Sequence, residues 1–513
     1  MLLIESLSDA SAYSHSTTDI TFIETHISWL FLTGDYAYKV KKPVNFGFLN
    51  FTTLERRKHY CEEELRLNQR LAPDIYLEIV EIRQHQDQIF MGGDQGAVIE
   101  YAVKMTQFNN NLRLDVLLEA HRFEAQWIDE LASHICDFHQ RIPLVASDSP
   151  WGEPETILGV VQDNFSHIDP RLISEALYDQ LKQLEQHYLT QFEALTPLIK
   201  SRKADGHIRE CHGDLHLANI TLFNDSLRLF DCIEFNLQFR WIDTLSDLAF
   251  LLMDLEANGQ FRWANRCLNR YLELGGDYNG LPLLNFYKAY RSMVRAKVAM
   301  LGEEKDHFTF ERYLTLTNRY AQGRTPAIYI MHGVSGTGKS YLSQQLVDAT
   351  GAIRIRSDVE RKRIYKKLSK RGNPLELYGS EMNAHTFNYL LDTTRTLLEA
   401  GYPVIVDATF IRERARTAYI ELSKELNINL HIIACVCEPN LIRARLKKRA
   451  MEGNDASDAT VQVMEQQHAH LQHLNEEEQA YAIEINTDDD EAVHKLLEQL
   501  DCYPDESPYA QAE

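Results

Sequence analysis

The stretch Gly333-Val-Ser-Gly-Thr-Gly-Lys-Ser340 decides the fold of the C-terminal part of this chain. Before it, residues 327–331 form an apolar run that predicts a buried strand. After it, residues 341–347 carry apolar side chains at helical spacing. A glycine-rich loop between a strand and a helix directs backbone N–H groups and the positive end of the helix dipole towards an anion. The stretch therefore predicts a P-loop that binds nucleotide phosphates.

Several residues of this loop are the predicted nucleotide contacts. Lys339 would place its positive charge beside the β and γ phosphates, and the Ser340 hydroxyl would hold Mg²⁺. The glycines let the backbone curl around the phosphates. ATP is the expected nucleotide, with GTP as an alternative. The predicted contact residues are Gly333, Ser335, Gly336, Thr337, Gly338, Lys339 and Ser340.

The overall composition indicates a soluble multidomain protein. A chain of 513 residues is too long for one ordinary core, so two or three domains are expected. No apolar run reaches the length of a membrane span. The apolar run at the N-terminus ends at the acidic residue Glu5, which is too early for a signal peptide. The eight cysteines are scattered, which fits a reducing cytoplasm. The net charge of −22 argues against a broad contact with nucleic acid.

A polar segment, residues 321–326, contains Gly and Pro and predicts the main domain boundary. Behind it, strand-like and helix-like segments alternate, which predicts an α/β P-loop domain with a parallel sheet and flanking helices. Its strands are expected at residues 327–331, 352–355, 404–406, 430–436 and 481–485. The predicted domains are residues 1–320 and 326–500, followed by an acidic tail over 501–513.

The N-terminal part follows another plan. Short strand-like segments and one helix precede long helical stretches, which predicts a small sheet-rich lobe and a larger helical lobe. The strands are expected at residues 20–24, 29–33, 36–41, 75–82, 88–91 and 97–105, and the first helix at 53–71. Helices are expected to dominate residues 112–200 and 243–320.

A second chemical centre lies in the stretch Cys211-His-Gly-Asp-Leu-His-Leu-Ala-Asn219. It precedes a predicted hairpin, residues 220–223 and 227–230, which leads directly to Asp231. Phosphoryl transfer needs a base for the attacking hydroxyl, and carboxylate or amide ligands for Mg²⁺. The spacing therefore predicts Asp214 as the base. Asn219 and Asp231 are the predicted Mg²⁺ ligands.

The pattern His-Gly-Asp-x-x-x-x-Asn resembles the catalytic loop of the aminoglycoside phosphotransferase branch of the protein-kinase-like fold. The resemblance spans roughly residues 20–300 and is specific over 212–247. It implies a bilobal α+β fold and an ATP-binding lysine at Lys39, with Lys41 as the fallback. It also implies an acidic partner on the next helix, for which Glu64 is preferred over its neighbours Glu62 and Glu63.

The same resemblance implies a hinge between the lobes at residues 100–103, where backbone groups would meet adenine. It further implies that a buried Asp247 braces the catalytic loop. Two features depart from the family pattern. The stretch Thr25-His-Ile-Ser28 stands where a Gly-x-Gly-x-x-Gly loop would cover the phosphates, and His212 with His216 is too small a set for a metal site.

Acidic residues follow two predicted strands of the C-terminal domain. Asp358 comes after the second strand and Asp407 after the third, and the carboxyl ends of adjacent parallel strands face the phosphate loop. Asp358 is therefore the predicted base for an acceptor hydroxyl, and Asp407 would hold the water shell of Mg²⁺. Arg361 would hold the acceptor. Arg445 and Arg449 lie one helical turn apart and would close over the phosphates, with a solvated basic helix as the alternative.

This part resembles the P-loop small-molecule and polynucleotide kinases in two patterns, Ser357-Asp-Val-Glu-Arg361 and Val406-Asp-Ala-Thr409. Relatives that act on polynucleotides often carry Asn where this chain has Phe410. As a whole, the chain resembles bacterial tandem proteins that join an aminoglycoside-phosphotransferase-like domain to a P-loop kinase-like domain. The resemblance implies an ATP- and Mg²⁺-dependent kinase with two nucleotide sites, each acting on a hydroxyl of a small molecule.

Two other hypotheses stay open. One half could be a nucleotide-sensing regulatory module that controls the other half. Alternatively, the P-loop half could be a polynucleotide 5′-hydroxyl kinase-like enzyme, which the acidic charge disfavours because phosphate-backbone binding needs basic residues.

Overall fold

A computed structural model describes residues 2–17, 19–47, 49–301, 305–370, 372, 375–452 and 457–501. Its contacts divide the chain into two compact units. The first unit comprises Met1–Glu130, Asp137–Asp163 and Thr196–Leu251. The second comprises Leu131–Cys136, Asn164–Leu195 and Leu252–Glu513. The helices that end the predicted N-terminal domain therefore cluster with the P-loop sheet, and the domain limits inferred from the sequence stay a prediction.

The first unit contains a six-stranded antiparallel sheet in the order β1-β2-β3-β6-β4-β5. Its central strands have buried side chains on both faces, since Tyr38, Val40 and Ala102 belong to one apolar cluster and Ala37, Val103 and Met105 to another. The predicted strands are confirmed, with shifts of a few residues at their ends. Their bounds are β1 (Thr21–Glu24), β2 (Ser28–Leu32), β3 (Tyr36–Lys41), β4 (Tyr76–His85), β5 (Gln88–Met91) and β6 (Ala97–Thr106).

Two small sheets follow in the same unit. The predicted hairpin consists of β8 (Ile220–Phe223) and β9 (Ser226–Leu229), which pair antiparallel. A second pair was not predicted: β7 (Ile208–Glu210) lies antiparallel to β10 (Trp241–Asp243). This pair holds the start of the catalytic-loop motif beside the segment that carries Asp247.

Helices supply the rest of the described structure. None of the helices in the described ranges combines the length and the apolar character that crossing a bilayer requires. Their bounds are α1 (Leu2–Leu7), α2 (Leu54–Asn68), α3 (Leu114–Glu119), α4 (Ala125–Arg141), α5 (Pro154–Ser166), α6 (Glu175–Ala204), α7 (Leu237–Arg240), α8 (Thr244–Ala257), α9 (Phe261–Gly275), α10 (Leu284–Leu301), α11 (His307–Gln322), α12 (Lys339–Thr350), α13 (Ser357–Lys370), α14 (Ser380–Glu399), α15 (Glu413–Leu426), α16 (Pro439–Glu452), α17 (Val461–Ala469), α18 (Glu476–Gln479) and α19 (Ala492–Gln499).

The second unit contains a five-stranded parallel sheet in the order β12-β13-β11-β14-β15. All six residues of its central strand β11 are buried, because helices cover both faces of such a sheet. The predicted α/β fold class is thereby confirmed. The strands are β11 (Ala327–His332), β12 (Ile353–Arg356), β13 (Val404–Asp407), β14 (Asn429–Val436) and β15 (Ala482–Asn486). Apart from Asp501, the predicted acidic tail lies outside the described residues.

Candidate active sites

The first candidate site is built around Lys39, which projects from the central part of the antiparallel sheet. Its Nζ lies 2.8 Å from Glu64 Oε1, on helix α2, and 2.6 Å from Asp231 Oδ1, directly after the hairpin. Three residues that are far apart in the sequence are therefore brought together as the family resemblance implied. Burial lowers the pKa of Lys39, but the carboxylates of Asp231 and Glu64 raise it well above its ordinary value.

The fallback lysine, Lys41, belongs to the same cluster. It is fully buried, and its Nζ lies 2.6 Å from Glu64 Oε2 and also contacts Glu234. Glu64 thus bridges both lysines through its two carboxylate oxygens. Burial raises the pKa of Glu64, but the two ammonium groups lower it to about 2. From the sequence, Lys39 and Lys41 were alternatives for one position. In the structure both lysines bind Glu64, and Lys41 also contacts Glu234, a residue that the sequence analysis did not select.

The loop that carries Asp214 is organised by hydrogen bonds. Asn219 Nδ2 donates to the Asp214 carbonyl oxygen at 2.9 Å and to Asp214 Oδ2 at 3.0 Å. The backbone N–H of Phe230 donates to the Asn219 carbonyl oxygen at 3.0 Å. Both ring nitrogens of His212 are hydrogen bonded: Nε2 lies 2.9 Å from the Phe230 carbonyl oxygen, and Nδ1 accepts from the Asp214 N–H at 3.3 Å. These contacts hold the loop against the residue that precedes Asp231.

Asp247 lies beneath this loop and is fully buried. Its carboxylate accepts hydrogen bonds from the backbone N–H groups of His212 and Gly213, at 3.1 and 2.8 Å. His139 Nε2 lies 3.1 Å from the same carboxylate. Because a buried carboxylate that accepts several N–H bonds is held firmly, this geometry fits the bracing role that the resemblance implied.

The hinge expected at residues 100–103 is wrong. These residues lie inside β6, where Ala102 and Val103 are paired with Val40 and Lys39 of β3 on one side and with β4 on the other. The carboxylate of Glu100 is bound by Arg57, at 2.9 and 2.8 Å from Nε. Backbone groups that are bonded within a sheet are not free to meet adenine.

The second candidate site is the P-loop, which connects β11 to α12. Gly336 and Gly338 both have φ of +90°, a conformation that favours glycine, and α12 begins at Lys339. Lys339 is buried, and its Nζ donates to the Val334 carbonyl oxygen at 2.8 Å. Burial lowers the pKa of Lys339, and the charge of Arg449 lowers it further. The carboxylates of Asp407 and Asp358 act in the opposite direction. Both predicted carboxylates therefore lie close enough to act on the charge of the P-loop lysine.

Asp407 ends β13, and Asp358 lies in the first turn of α13, directly after β12. Ser343 Oγ donates to Asp407 Oδ2 at 3.5 Å and to the carbonyl oxygen of Ser340 at 3.0 Å. Arg356 Nε lies 3.6 Å from Asp407 Oδ2. The two residues expected to hold Mg²⁺, Ser340 and Asp407, are thus linked through one serine side chain.

The three predicted arginines have different surroundings. Arg361 is buried over the ring of Tyr378, contacts Asn383 Oδ1 through Nη1, and has no acceptor for Nε among the described residues. Arg445 donates to Thr487, from Nη1 to Oγ1 at 3.0 Å and from Nη2 to the carbonyl oxygen at 2.9 Å. Arg449 Nη2 donates to the Ala459 carbonyl oxygen at 2.9 Å. Arg445 therefore supports the segment after β15, while Arg449 binds the backbone directly before α17.

Sequence reasoning missed two side chains that contact the P-loop. Gln467, on α17, accepts a hydrogen bond from the backbone N–H of Ser335 at 2.8 Å. Thr487 Oγ1 donates to the Thr337 carbonyl oxygen at 2.8 Å. Both lie more than a hundred residues after the loop, so no local pattern marks them. The apolar run that predicted β15 was the nearest available signal for Thr487.

Residues 328–474 match the family model described as an AAA domain. An uncharacterized protein of Mycobacterium tuberculosis (strain H37Rv) is 29% identical over 467 residues, which cover 89% of this chain and 91% of the relative. A Mycobacterium bovis protein matches with the same values. The family match agrees with the predicted P-loop domain, and the two relatives align along most of the chain.

Solved structures align with separate parts of the chain. A choline/ethanolamine kinase family protein from Mesorhizobium loti is 12% identical, with a TM-score of 0.37, and the match covers 63% of this chain and 98% of that chain. A sugar kinase from Janibacter sp. is 20% identical, with a TM-score of 0.27, and the match covers 35% of this chain and 96% of that chain.

Proposed function

We propose that this protein is an ATP- and Mg²⁺-dependent phosphotransferase with two nucleotide sites. Each site would transfer the γ-phosphoryl group to a hydroxyl of a small-molecule acceptor. One observation carries the proposal: Lys339 is buried within the P-loop, where its Nζ donates to the Val334 carbonyl oxygen at 2.8 Å. Asp407, at the end of the neighbouring strand, is linked to Ser340 through the side chain of Ser343. A buried ammonium in a loop of backbone N–H groups, beside a carboxylate at a strand end, is the arrangement that a magnesium nucleotide requires.

At the P-loop site, the loop's backbone N–H groups and Lys339 would bind the phosphates. Ser340 and Asp407 would hold Mg²⁺, which neutralises charge on the phosphates when it is bound. Asp358 would accept the proton of the acceptor hydroxyl. The acceptor oxygen then bonds to the γ-phosphorus, the bond from that phosphorus to the β,γ-bridging oxygen breaks, and ADP leaves.

Arg361 would bind the acceptor at the P-loop site. Its guanidinium is buried, and Nε has no acceptor among the described residues, which is costly unless another group arrives. Arg361 lies three residues after Asp358, which is one turn along α13. This supports an acceptor that carries an oxygen-rich or anionic group close to the hydroxyl that reacts.

At the first site, Lys39 would bind the nucleotide phosphates while Glu64 orients it, as in the lysine–glutamate pair of protein kinases. Asn219 and Asp231 would hold Mg²⁺. Asp214 would accept the proton of the acceptor hydroxyl, and the hydrogen bond from Asn219 supports it in that position. The buried lysine–glutamate pairs at 2.8 and 2.6 Å support this assignment, since such pairs persist in a core only when both charges are compensated.

A screen of metabolites for ATP-dependent gain of one phosphoryl mass would test the proposal. The full chain is compared with Lys339→Ala and with Asp214→Ala. If both sites catalyse, each variant loses a different product and retains the other. If Asp214→Ala retains every product, the first site is not catalytic and the regulatory alternative takes its place. If neither variant changes any product, the proposal is wrong.

A further inference from the structure

Helix α9 lies against the edge of the parallel sheet. Strand β12 is at that edge, and an edge strand leaves a row of backbone N–H and C=O groups without strand partners. The side chain of Asn269 hydrogen bonds to two of these backbone groups. Its Oδ1 accepts from the Arg354 N–H at 2.7 Å, and its Nδ2 donates to the Ala352 carbonyl oxygen at 3.1 Å. One carboxamide therefore satisfies the edge as a neighbouring strand would.

One turn further along α9, Glu273 continues this contact. It is 6% exposed, so its charge needs compensation. Glu273 Oε1 accepts from Arg354 Nε at 3.1 Å and from Nη2 at 2.6 Å. Its other oxygen lies 3.6 Å from Arg356 Nη1. A single carboxylate is thus shared by two arginines of the same strand, and Arg270 Nη1 of α9 lies 3.8 Å from its Oε2.

Both arginines extend from Glu273 to the P-loop site. Arg354 Nη1 donates to the Ser340 carbonyl oxygen at 3.4 Å and to Ser343 Oγ at 3.3 Å. Arg356 Nε lies 3.6 Å from Asp407 Oδ2. Glu273 is therefore separated by one guanidinium group from each of the residues to which the proposed function assigns Mg²⁺.

We propose that Glu273 is a positioning residue of the P-loop site. Its carboxylate balances Arg354 and shares Arg356 with Asp407, since Arg356 lies 3.6 Å from each of the two carboxylates, so that Asp407 keeps part of its attraction for a divalent cation. The inference rests on the proposed function of this site. Without the charge of Glu273, Arg356 is left to pair with Asp407 alone and Arg354 loses its carboxylate, so both guanidinium groups oppose Mg²⁺ at short range in a poorly solvated region.

The test measures how nucleotide binding depends on Mg²⁺. Calorimetry with ADP over a Mg²⁺ series is done on the full chain carrying Lys39→Ala, so that the P-loop site is the one observed. Mg²⁺ is expected to enhance ADP binding. Glu273→Gln should raise the Mg²⁺ concentration that gives half of this enhancement about tenfold, which is the usual effect of removing a residue that orients a metal ligand. In an Arg356→Gln background, the same change is expected to have less than about a threefold effect, because the competing guanidinium is gone.

Glu256→Gln is the matched control. Glu256 is also buried, and it pairs with Lys288 at 2.6 Å and accepts from Tyr320 Oη at 2.5 Å. Its loss removes a buried charge pair of similar character on α8, the helix that precedes α9. The control variant is expected to lower the melting temperature and to leave the Mg²⁺ dependence unchanged.

The outcomes separate the two proposals. If Glu273→Gln is folded and keeps the parent's Mg²⁺ dependence, the inference about Glu273 is overturned while the proposed function stands. If the Lys39→Ala chain still binds ADP after Lys339→Ala is added, the proposed function of the P-loop site is wrong instead. Should Glu273→Gln not fold, Arg356→Gln alone decides: a lower Mg²⁺ requirement supports the inference, and no change overturns it.

Discussion

Lys39 Nζ lies 2.6 Å from Asp231 Oδ1, so a lysine of the small antiparallel sheet is paired with the carboxylate proposed to hold Mg²⁺ at the first site. The two residues are 192 positions apart in the chain. Glu64 holds the same ammonium from the other side at 2.8 Å. The charge of Lys39 is therefore shared between the glutamate proposed to orient it and the aspartate proposed to hold Mg²⁺.

The ion pair predicts a requirement for Asp231. In a chain whose P-loop site is silenced by Lys339→Ala, we expect Asp231→Asn to weaken Mg²⁺-dependent ADP binding at least about tenfold, since a neutral amide is a poorer ligand for a hard cation. Calorimetry in the presence and absence of Mg²⁺ measures this. Asp225→Asn, an exposed change in the turn of the same hairpin, is the control and should bind as the parent does. Equal binding by Asp231→Asn would remove this residue from the site.

The base assigned to the P-loop site predicts a separation of chemistry from binding. We expect Asp358→Asn to lower kcat by about a hundredfold or more while the nucleotide Kd stays the same, because a general base acts in the transition state and not in nucleotide binding. Steady-state kinetics and calorimetry measure the two quantities. Glu381→Gln, an exposed change in the first turn of α14, should retain full turnover. A change in Kd at unaltered kcat would contradict the assignment.

The charge cluster of the first unit predicts a pH-dependent stability. The pKa of Glu64 is lowered from its ordinary 4.5 to about 2 in the folded chain, so protons bind more readily to the unfolded chain. The stabilisation is therefore complete above pH 4.5 and is lost as the pH falls towards 2. Denaturant unfolding at several pH values should show a difference between the parent and Glu64→Gln that shrinks across this interval. A difference that does not vary with pH would show that the lysines do not hold Glu64 ionised.

The contact between α9 and the sheet edge predicts a stability cost for Asn269. We expect Asn269→Ala to lower the free energy of unfolding by about 1–3 kcal/mol, because the Arg354 N–H and the Ala352 carbonyl are left buried without partners. Denaturant unfolding of the second unit's transition measures this. Asn258→Ala, at an exposed position after α8, should change the value by less than about 0.5 kcal/mol. A loss of similar size in both variants would mean that the edge is not held by Asn269.

Local sequence patterns were sufficient to predict much of the fold. The strands of both main sheets were predicted to within a few residues, because short runs of β-branched and apolar residues between turn signals are typical of buried strands. The P-loop was predicted because its glycines, lysine and serine must be close together in sequence to bind phosphate. The residues of the loop proposed to be catalytic, from His212 to Asn219, were identifiable for the same reason.

Contacts across long sequence distances were decided by the tertiary structure. No spacing rule shows that Lys39 and Lys41 share Glu64, or that Glu273 stands behind the P-loop site. Such contacts depend on which helix packs against which strand, which is set by the burial of whole surfaces. The sequence by itself determined the phosphate-binding elements, because their chemistry is local. Packing alone decided which buried charges surround them, because a charge in a core is stable only beside the partner that the fold brings to it.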